Sequence, residues 1–262
     1  MRTNKDIAAH TPIIEASLRM SKELLETTDV LILCGGLGTR FRQVRQDIPK
    51  CLAPVRNRPF IDYLLSIIVA QGFNRIVLAT GYLGYQVETH VKRRDDAVYI
   101  FAREETPLGT GGAIKCSKGL IYSDPFLVLN GDSYIDFPLK KLLEKNKASN
   151  ADISILLSST RTNSDCGNVE LGYNQRVTSF TEKYGKSSSS YTNAGIYCLR
   201  KHVLDALPQH EPISLEKECL PLWINRFLVT GVTTEREIHD IGTVDRYVAA
   251  QNMQFGILES HE

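Results

Sequence analysis

The sequence predicts an α/β fold, with a mostly parallel central sheet in its first half and a smaller antiparallel subdomain in its second. Three observations predict it. Short apolar runs at 30–33, 75–80 and 126–130 are each followed within two residues by glycine, as buried strands feeding tight turns are. Stretches with apolar residues at helical spacing separate these runs. From about residue 150 the strand-like runs crowd together with only loops between them.

The elements follow in order. Residues 12–27 carry Ile13, Ile14, Leu18, Leu24 and Leu25 at helical spacing, and Thr11-Pro12 suits a helix start. This predicts a docking helix or a contact with a second copy in a homodimer. Val30-Leu31-Ile32-Leu33 predicts the first strand, running into Gly35-Gly36. A helix is expected over 59–71, a strand over 75–80, a helix over 84–94 and a third strand from Ala97 to Ala102. A helix over 110–120 and a fourth strand from Phe126 to Asn130 complete the alternation. That rhythm means βαβ units, whose ligands bind beyond the carboxyl ends of the strands. Gly35, Gly36, Gly81 and Gly131-Asp132 all fall there. In the second half Ile153–Leu157, Asn168–Leu171, Val177–Thr181 and Asn193–Leu199 read as closely spaced strands, with Ser187 to Ser190 a loop between the last two.

Composition sets limits on function. The 262 residues carry 31 Lys+Arg against 30 Asp+Glu, a net charge of +1, which excludes a broad polyanion surface and so nucleic acid as partner. Cys34, Cys51, Cys116, Cys166, Cys198 and Cys219 are scattered, without zinc spacing, and read as reduced thiols of a cytoplasmic protein. The polar first ten residues lack the apolar core of a signal peptide. The longest apolar run, Tyr63 to Ala70, is far short of the roughly 20 residues a membrane span needs.

The most informative stretch is Cys34-Gly35-Gly36-Leu37-Gly38-Thr39-Arg40, with Lys50 ten residues beyond. Glycines after a buried strand let backbone N–H groups approach a phosphate, and Arg40 and Lys50 can add charge. The run matches neither G-x-x-x-x-G-K-[ST] nor G-x-G-x-x-G, since Phe41 stands three after Gly38. Residues 40–58 hold six basic residues (Arg40, Arg42, Arg45, Lys50, Arg56, Arg58) and one acid, Asp47, a local charge of +5. Arg42, Arg45 and Arg56 read as a solvated loop, and Arg40 and Lys50 as functional. Near-neutrality is therefore an average that conceals one basic segment.

Gly35 to Arg40, Pro49-Lys50 and Ala53-Pro54-Val55 resemble the signature of the sugar-1-phosphate nucleotidyltransferases. The likeness continues in order over about 29–250, through Pro107 to Ala113, Leu129-Asn130-Gly131-Asp132, Thr181-Glu182-Lys183, Asn193 to Tyr197 and Asp240-Ile241-Gly242-Thr243. The resemblance implies a Rossmann-like nucleotidyltransferase fold with residues 1–28 as a helical extension. It also implies a nucleotide-binding half over about 29–150 and a sugar-binding half over 151–262. Leu33, Gly35, Gly36, Gly38 and Thr39 would line the nucleotide, Gly109 and Thr110 its base, and Arg40 and Lys50 would hold its phosphates. Asp132 and Asp240 would bind Mg²⁺. Glu182 and Asn193 would hold sugar hydroxyls, Gly195 would make room for the ring, and Lys183 would hold the sugar phosphate. Arg40, Lys50 and Asp132 would form the catalytic set.

Elementary chemistry agrees, because a sugar phosphate attacking a triphosphate is anion meeting anion. Screening by fixed cations and a metal, with positioning, is then most of the catalysis, and no general base is required. His239 beside Asp240 is expected to be a structural neighbour with its side chain on the opposite face. Cys51 after Pro49-Lys50, Tyr184 after Glu182-Lys183 and Val244 after Thr243 replace prolines common in the family, and none removes a charge. The wording around 47–50, 105–112 and 129–132 is most similar to the D-glycero-D-manno-heptose 1-phosphate guanylyltransferases, implying GTP and a heptose 1-phosphate as substrates. Mannose-1-phosphate guanylyltransferases and glucose-1-phosphate thymidylyl- or uridylyltransferases share much of it. The chain ends 22 residues after Asp240, leaving no room for the β-helix of acyltransferase-fused relatives, so a single-function transferase is expected. A non-catalytic sugar-nucleotide sensor is the rival from another class.

Overall fold

A computed structural model describes residues 22–36, 38, 47–160, 167–181, 191–253 and 255. Thr39, Arg40, Glu182, Lys183, the serines 187–190 and the first part of the predicted N-terminal helix lie outside the described residues; residues 22–27 are helical (α1). The chain then runs β1 (Asp29–Leu33), β2 (Pro54–Val55), β3 (Arg58–Pro59), α2 (Phe60–Ala70), β4 (Arg75–Thr80), α3 (Gly84–Val91), β5 (Val98–Arg103), α4 (Gly109–Ser117) and β6 (Phe126–Asn130). The second half adds β7 (Ser133–Tyr134), α5 (Leu139–Ser149), β8 (Ile153–Ser158), β9 (Asn168–Leu171), β10 (Val177–Thr181) and β11 (Tyr191–Leu199). A π-turn at Leu215–Cys219, α6 (Leu220–Arg226), β12 (Val229–Thr234), β13 (His239–Asp240) and α7 (Val244–Ala250) follow.

The predicted βαβ alternation is present. Strands β6, β1, β4 and β5 lie side by side and parallel, with Leu33 opposite both Ala79 and Asn130. Of the second-half strands, β8 to β12 extend this same sheet, and β7 and β13 pair antiparallel in a small sheet of their own. β11 pairs antiparallel with β6, β8 lies antiparallel to β11, and β12 is parallel to β8. The β9–β10 hairpin joins the start of β11. Along the β12-β8-β11-β6-β1-β4-β5 path only β11 runs against the rest.

Strand periodicity places one core on each face of the sheet. Val30, Ile32, Ile76 and Leu78 face a core with α2, α3 and α5. Leu31, Val77 and Val128 face a second with α4 and α6, closed by Trp223. Each fully buried Leu, Ile or Val contributes about 1.5–3 kcal/mol by transfer from water, so a sheet sandwiched this way is a rigid frame for what its strand ends carry. The helix predicted over 110–120 ends as α-helix at Ser117, and Lys118–Leu120 tightens into a 3-10 turn. Part of the basic run is structural. Arg56 Nη1 donates to the Met253 carbonyl at 3.0 Å and Arg58 Nη2 to Ser66 Oγ at 2.8 Å.

Candidate active site

The carboxyl ends of β1, β5 and β6 open into a cavity of about 410 Å³. Among its lining residues are Leu33, Gly35, Gly36, Gly38, Lys50, Gly109, Thr110 and Asp132, eight of those expected from the sequence. Asn193, Gly195 and Asp240 stand one layer behind. Gly195 packs against Asn130 of the lining, and the Ile241 N–H next to Asp240 donates to the Asp132 carbonyl at 3.0 Å.

Two close approaches shape the cavity floor. A Cβ on Gly35 would stand 2.6 Å from Glu104 Oε1, so only glycine lets that carboxylate lie against the turn. Gly109 opens α4 at φ +75, and a Cβ there would stand 2.3 Å from the Ile213 carbonyl oxygen. That carbonyl instead accepts the Gly111 N–H at 2.9 Å. Thr110 accepts from the Leu215 N–H at 2.8 Å and donates to Glu216 Oε2 at 2.8 Å.

At the β1–β6 side, Lys50 Nζ donates to Asp132 Oδ2, and Ser133 Oγ donates to Oδ1 at 3.2 Å. Burial alone would raise the Asp132 carboxyl, but the charge and hydrogen bond of Lys50, with Ser133, hold it below the ordinary range. It is an anion with 38% of its side chain exposed. Asp240 is more enclosed, at 9%. Its Oδ1 accepts from the Gly242 N–H at 2.8 Å and from Arg246 Nη1 at 3.0 Å, and Oδ2 lies 3.2 Å from the same nitrogen. Lys50 and Arg246 face each other across Gly242, whose added Cβ would lie 3.6 Å from Lys50 Nζ and 3.4 Å from Arg246 Nη1. His239 and Asp240 alternate sides in β13 opposite Tyr134 and Ser133, and burial lowers the His239 pKa, keeping the imidazole neutral.

Sequence reasoning missed Glu104 and Arg246. Glu104 is 8% exposed, lines the cavity, and its Oε2 accepts the Leu108 N–H at 3.1 Å. Burial raises its pKa, partly offset by that hydrogen bond. Its place immediately after β5, at a carboxyl end, was the signal available. Cys34 and Cys51 also line the cavity. Their mutual hydrogen bond, then burial, pushes the Cys34 thiol well up, so it is an inert filler. The described cysteines are free thiols.

Comparison with known proteins agrees with this geometry. Residues 29–254 match the nucleotidyl transferase family. The chain is 32% identical over 224 residues to the D-glycero-alpha-D-manno-heptose 1-phosphate guanylyltransferase of Aneurinibacillus thermoaerophilus, covering 85% of this chain and 96% of that one. It is 30% identical to the mannose-1-phosphate guanylyltransferase of Mycobacterium tuberculosis, over 84% of this chain and 62% of that protein. The crystal structure of HddC from Yersinia pseudotuberculosis superposes with TM-score 0.76 at 30% identity, covering 86% of this chain and 98% of that chain. The same protein complexed with GMP-PN superposes at 0.74. The fold, the glycine-lined cavity at the strand ends and these matches together make the chain a member of the nucleotidyl transferase family.

Proposed function

We propose that the protein transfers GMP from GTP to a sugar 1-phosphate, D-glycero-D-manno-heptose 1-phosphate being the preferred acceptor, and releases pyrophosphate. One observation carries the reading: a single cavity holds the buried Glu104 carboxylate and, on its other side, the Lys50–Asp132 pair. Guanine presents two adjacent donors, N1–H and N2–H, which an ionised carboxylate accepts together. Uracil and thymine present one N–H flanked by carbonyl oxygens that a carboxylate repels. The heptose guanylyltransferase relative and the GMP-PN complex of HddC support the same base and the sugar class.

In the reaction an oxygen of the sugar phosphate forms a bond to the α-phosphorus, the bond from that phosphorus to the bridging oxygen breaks, and pyrophosphate leaves with the electron pair. The attacking oxygen is already ionised, so no protein base is needed. Lys50 spreads positive charge over the phosphates, joined by Arg40 on the reading carried from the family. The glycine turn lets backbone N–H groups approach. Asn193 and Gly195, with Glu182 and Lys183, take the sugar phosphate.

Asp132 and Asp240 would hold Mg²⁺. Asp132 fits a hard cation, because it is ionised and reachable from the cavity and triphosphate oxygens can fill the remaining positions, whereas Asp240 would have to share its oxygens with Arg246 and the Gly242 N–H. Two carboxylates alone make an incomplete site, and no group of three metal-binding side chains occurs among the described residues. When bound, the ion supplies neutralisation of phosphate charge. The free thiols support a reducing, cytoplasmic setting. No helix among the described residues is long and apolar enough to cross a membrane.

The test is a matrix of GTP, ITP, UTP and dTTP against heptose, mannose and glucose 1-phosphates, read as pyrophosphate. GTP with the heptose phosphate is expected to give the highest kcat/KM. A preference for UTP or dTTP overturns the base, and a preference for mannose 1-phosphate overturns the sugar.

A further inference from the structure

A chain of hydrogen bonds crosses the molecule behind the cavity, joining its nucleotide side to its sugar side. Thr110, in the lining, donates to Glu216 Oε2 at 2.8 Å. The Tyr197 hydroxyl donates to Glu216 Oε1 at 3.2 Å and accepts from Asn193 Nδ2 at 2.7 Å. Asn193 Oδ1 in turn accepts the Gly195 N–H at 3.1 Å. Gly195 has φ +70 and packs so closely on Asn130 that a Cβ would stand 2.6 Å from Asn130 Nδ2. Asn130 lines the cavity, so the chain starts and ends on its wall.

The polarity of this chain has one origin. Thr110 already accepts the Leu215 N–H, so its hydroxyl hydrogen goes to Glu216. A carboxylate only accepts, so the Tyr197 hydrogen also points at Glu216 and its lone pairs face Asn193. The Asn193 amide must then present nitrogen to Tyr197 and oxygen to Gly195. This settles an amide orientation at the irregular stretch of β11 where its register against β8 shifts between Asn193 and Tyr197. Tyr197 is fully buried, so a mismatched partner is costly there.

We propose that Glu216 is a positioning residue of the acceptor subsite. Through Tyr197 it sets the Asn193 amide and the Gly195 bend that receive the sugar, and through Thr110 it ties that subsite to the nucleotide wall. This rests on the transferase reading and on Asn193 and Gly195 as sugar-side residues. In Glu216→Gln an NH2 replaces one acceptor. If it meets Tyr197, the hydroxyl must donate toward Asn193, the amide turns over, and its nitrogen then opposes the Gly195 N–H. Tyr197→Phe removes the same link while leaving Thr110–Glu216 in place.

The experiment measures steady-state constants for wild type, Glu216→Gln, Tyr197→Phe and the double variant, with the sugar 1-phosphate the wild type prefers. Binding of GMP-PN and the thermal midpoint are measured alongside. Each single variant should raise KM for the sugar phosphate about three- to tenfold, the reach of one buried hydrogen bond, with kcat changed less. The double variant should match the worse single one. Tyr197→Phe should leave GMP-PN affinity within about twofold, because its link lies on the sugar side of Glu216. Unchanged acceptor KM in Tyr197→Phe, additive effects in the double variant, or parallel loss of GMP-PN affinity in Tyr197→Phe overturns the proposal. If the wild type releases no pyrophosphate with any acceptor, the transferase reading falls and takes this one with it. If the wild type is active and Tyr197→Phe matches it, only this proposal falls.

Discussion

The two sides of the cavity are built by different means. On the function proposed above, the nucleotide side is largely backbone: β1 and β6 end in glycine turns, and Gly35 and Gly109 press against Glu104 and the Ile213 carbonyl with no room for a Cβ. On the same proposal the sugar side is backed by side chains wired together just behind the cavity wall, with Asn193, Tyr197 and Glu216 from segments about 20 residues apart meeting through hydrogen bonds. A surface made by backbone is already in place when a ligand arrives, whereas a wired one is only as well placed as its weakest link. Substitutions should therefore fail differently on the two sides.

The largest effect is expected where the backbone-built side carries its charges. Asp132→Asn and Lys50→Ala should each lower kcat by about 10²–10³, some 3–4 kcal/mol of transition-state stabilisation, with little change in fold. Asp132→Asn also leaves Lys50 without its carboxylate partner, so GTP binding can tighten while turnover collapses. A matrix of kcat and GMP-PN affinity separates the two. Turnover within tenfold of wild type would remove Asp132 from the catalytic set.

Next comes Gly109→Ala, which attacks the backbone itself. The left-handed φ costs about 1–2 kcal/mol for an L-residue, and overpacking against Ile213 adds about 1–3 kcal/mol. GTP affinity and thermal midpoint should fall together, unlike the acceptor-only effect of Tyr197→Phe. If Gly109→Ala keeps both, the nucleotide wall is more plastic than its geometry implies, and the contrast between the sides loses its basis.

The same contrast explains what was legible in the sequence. The strands at 30–33, 75–80 and 126–130 announce themselves because apolar runs stop at glycine, and two of those stops, Gly35-Gly36 and Gly131, line the cavity. β12 was masked because Gly231 interrupts its otherwise β-branched run, Val-Thr-Gly-Val-Thr-Thr. Its Gly231 is there for Leu157 and Leu171, each of which a Cβ would meet at 2.6 Å. α5 was hidden by lysines, its buried stripe being only Leu139, Leu142, Leu143 and Asn146. That the second-half strands would join the first sheet depends on β11 pairing with β6, a partnership some 70 residues apart that no local pattern encodes. Glu216 was missed for the same reason: it acquires a role only from Thr110 and Tyr197, brought to it by the fold.

A smaller effect tests the base. Glu104→Gln should leave one donor and one acceptor facing guanine's two donors and cut the preference for GTP over UTP about tenfold, near 1.4 kcal/mol. In the wild type ITP, which lacks N2–H, should be about tenfold poorer than GTP, and the variant should narrow that gap. An unchanged GTP-to-ITP ratio would move the base recognition elsewhere in the cavity.

The smallest effect concerns stability and changes sign with ligand. Burial raises the Glu104 pKa above its ordinary value. Between the ordinary carboxyl value and the raised one, the folded protein holds more protons than the unfolded chain, so stability falls as pH rises through that window. Above the raised value the full cost is present; below the ordinary value it vanishes. Glu104→Gln carries no such cost and should be more stable than wild type at pH 7.5 by about 1 kcal/mol or less, roughly 2–4 °C in midpoint for each kcal/mol. The advantage should disappear as the pH is lowered below the ordinary carboxyl range. Saturating GTP should reverse it. A ligand at 100 times its Kd adds about 2.7 kcal/mol, and a tenfold weaker Kd at the same concentration forfeits about 1.4 of that, more than the variant gained. Melting curves with and without GTP at two pH values therefore give four midpoints with a fixed order. A variant that stays the more stable protein when GTP is present would mean that the Glu104 carboxylate is buried for the frame and not for the base.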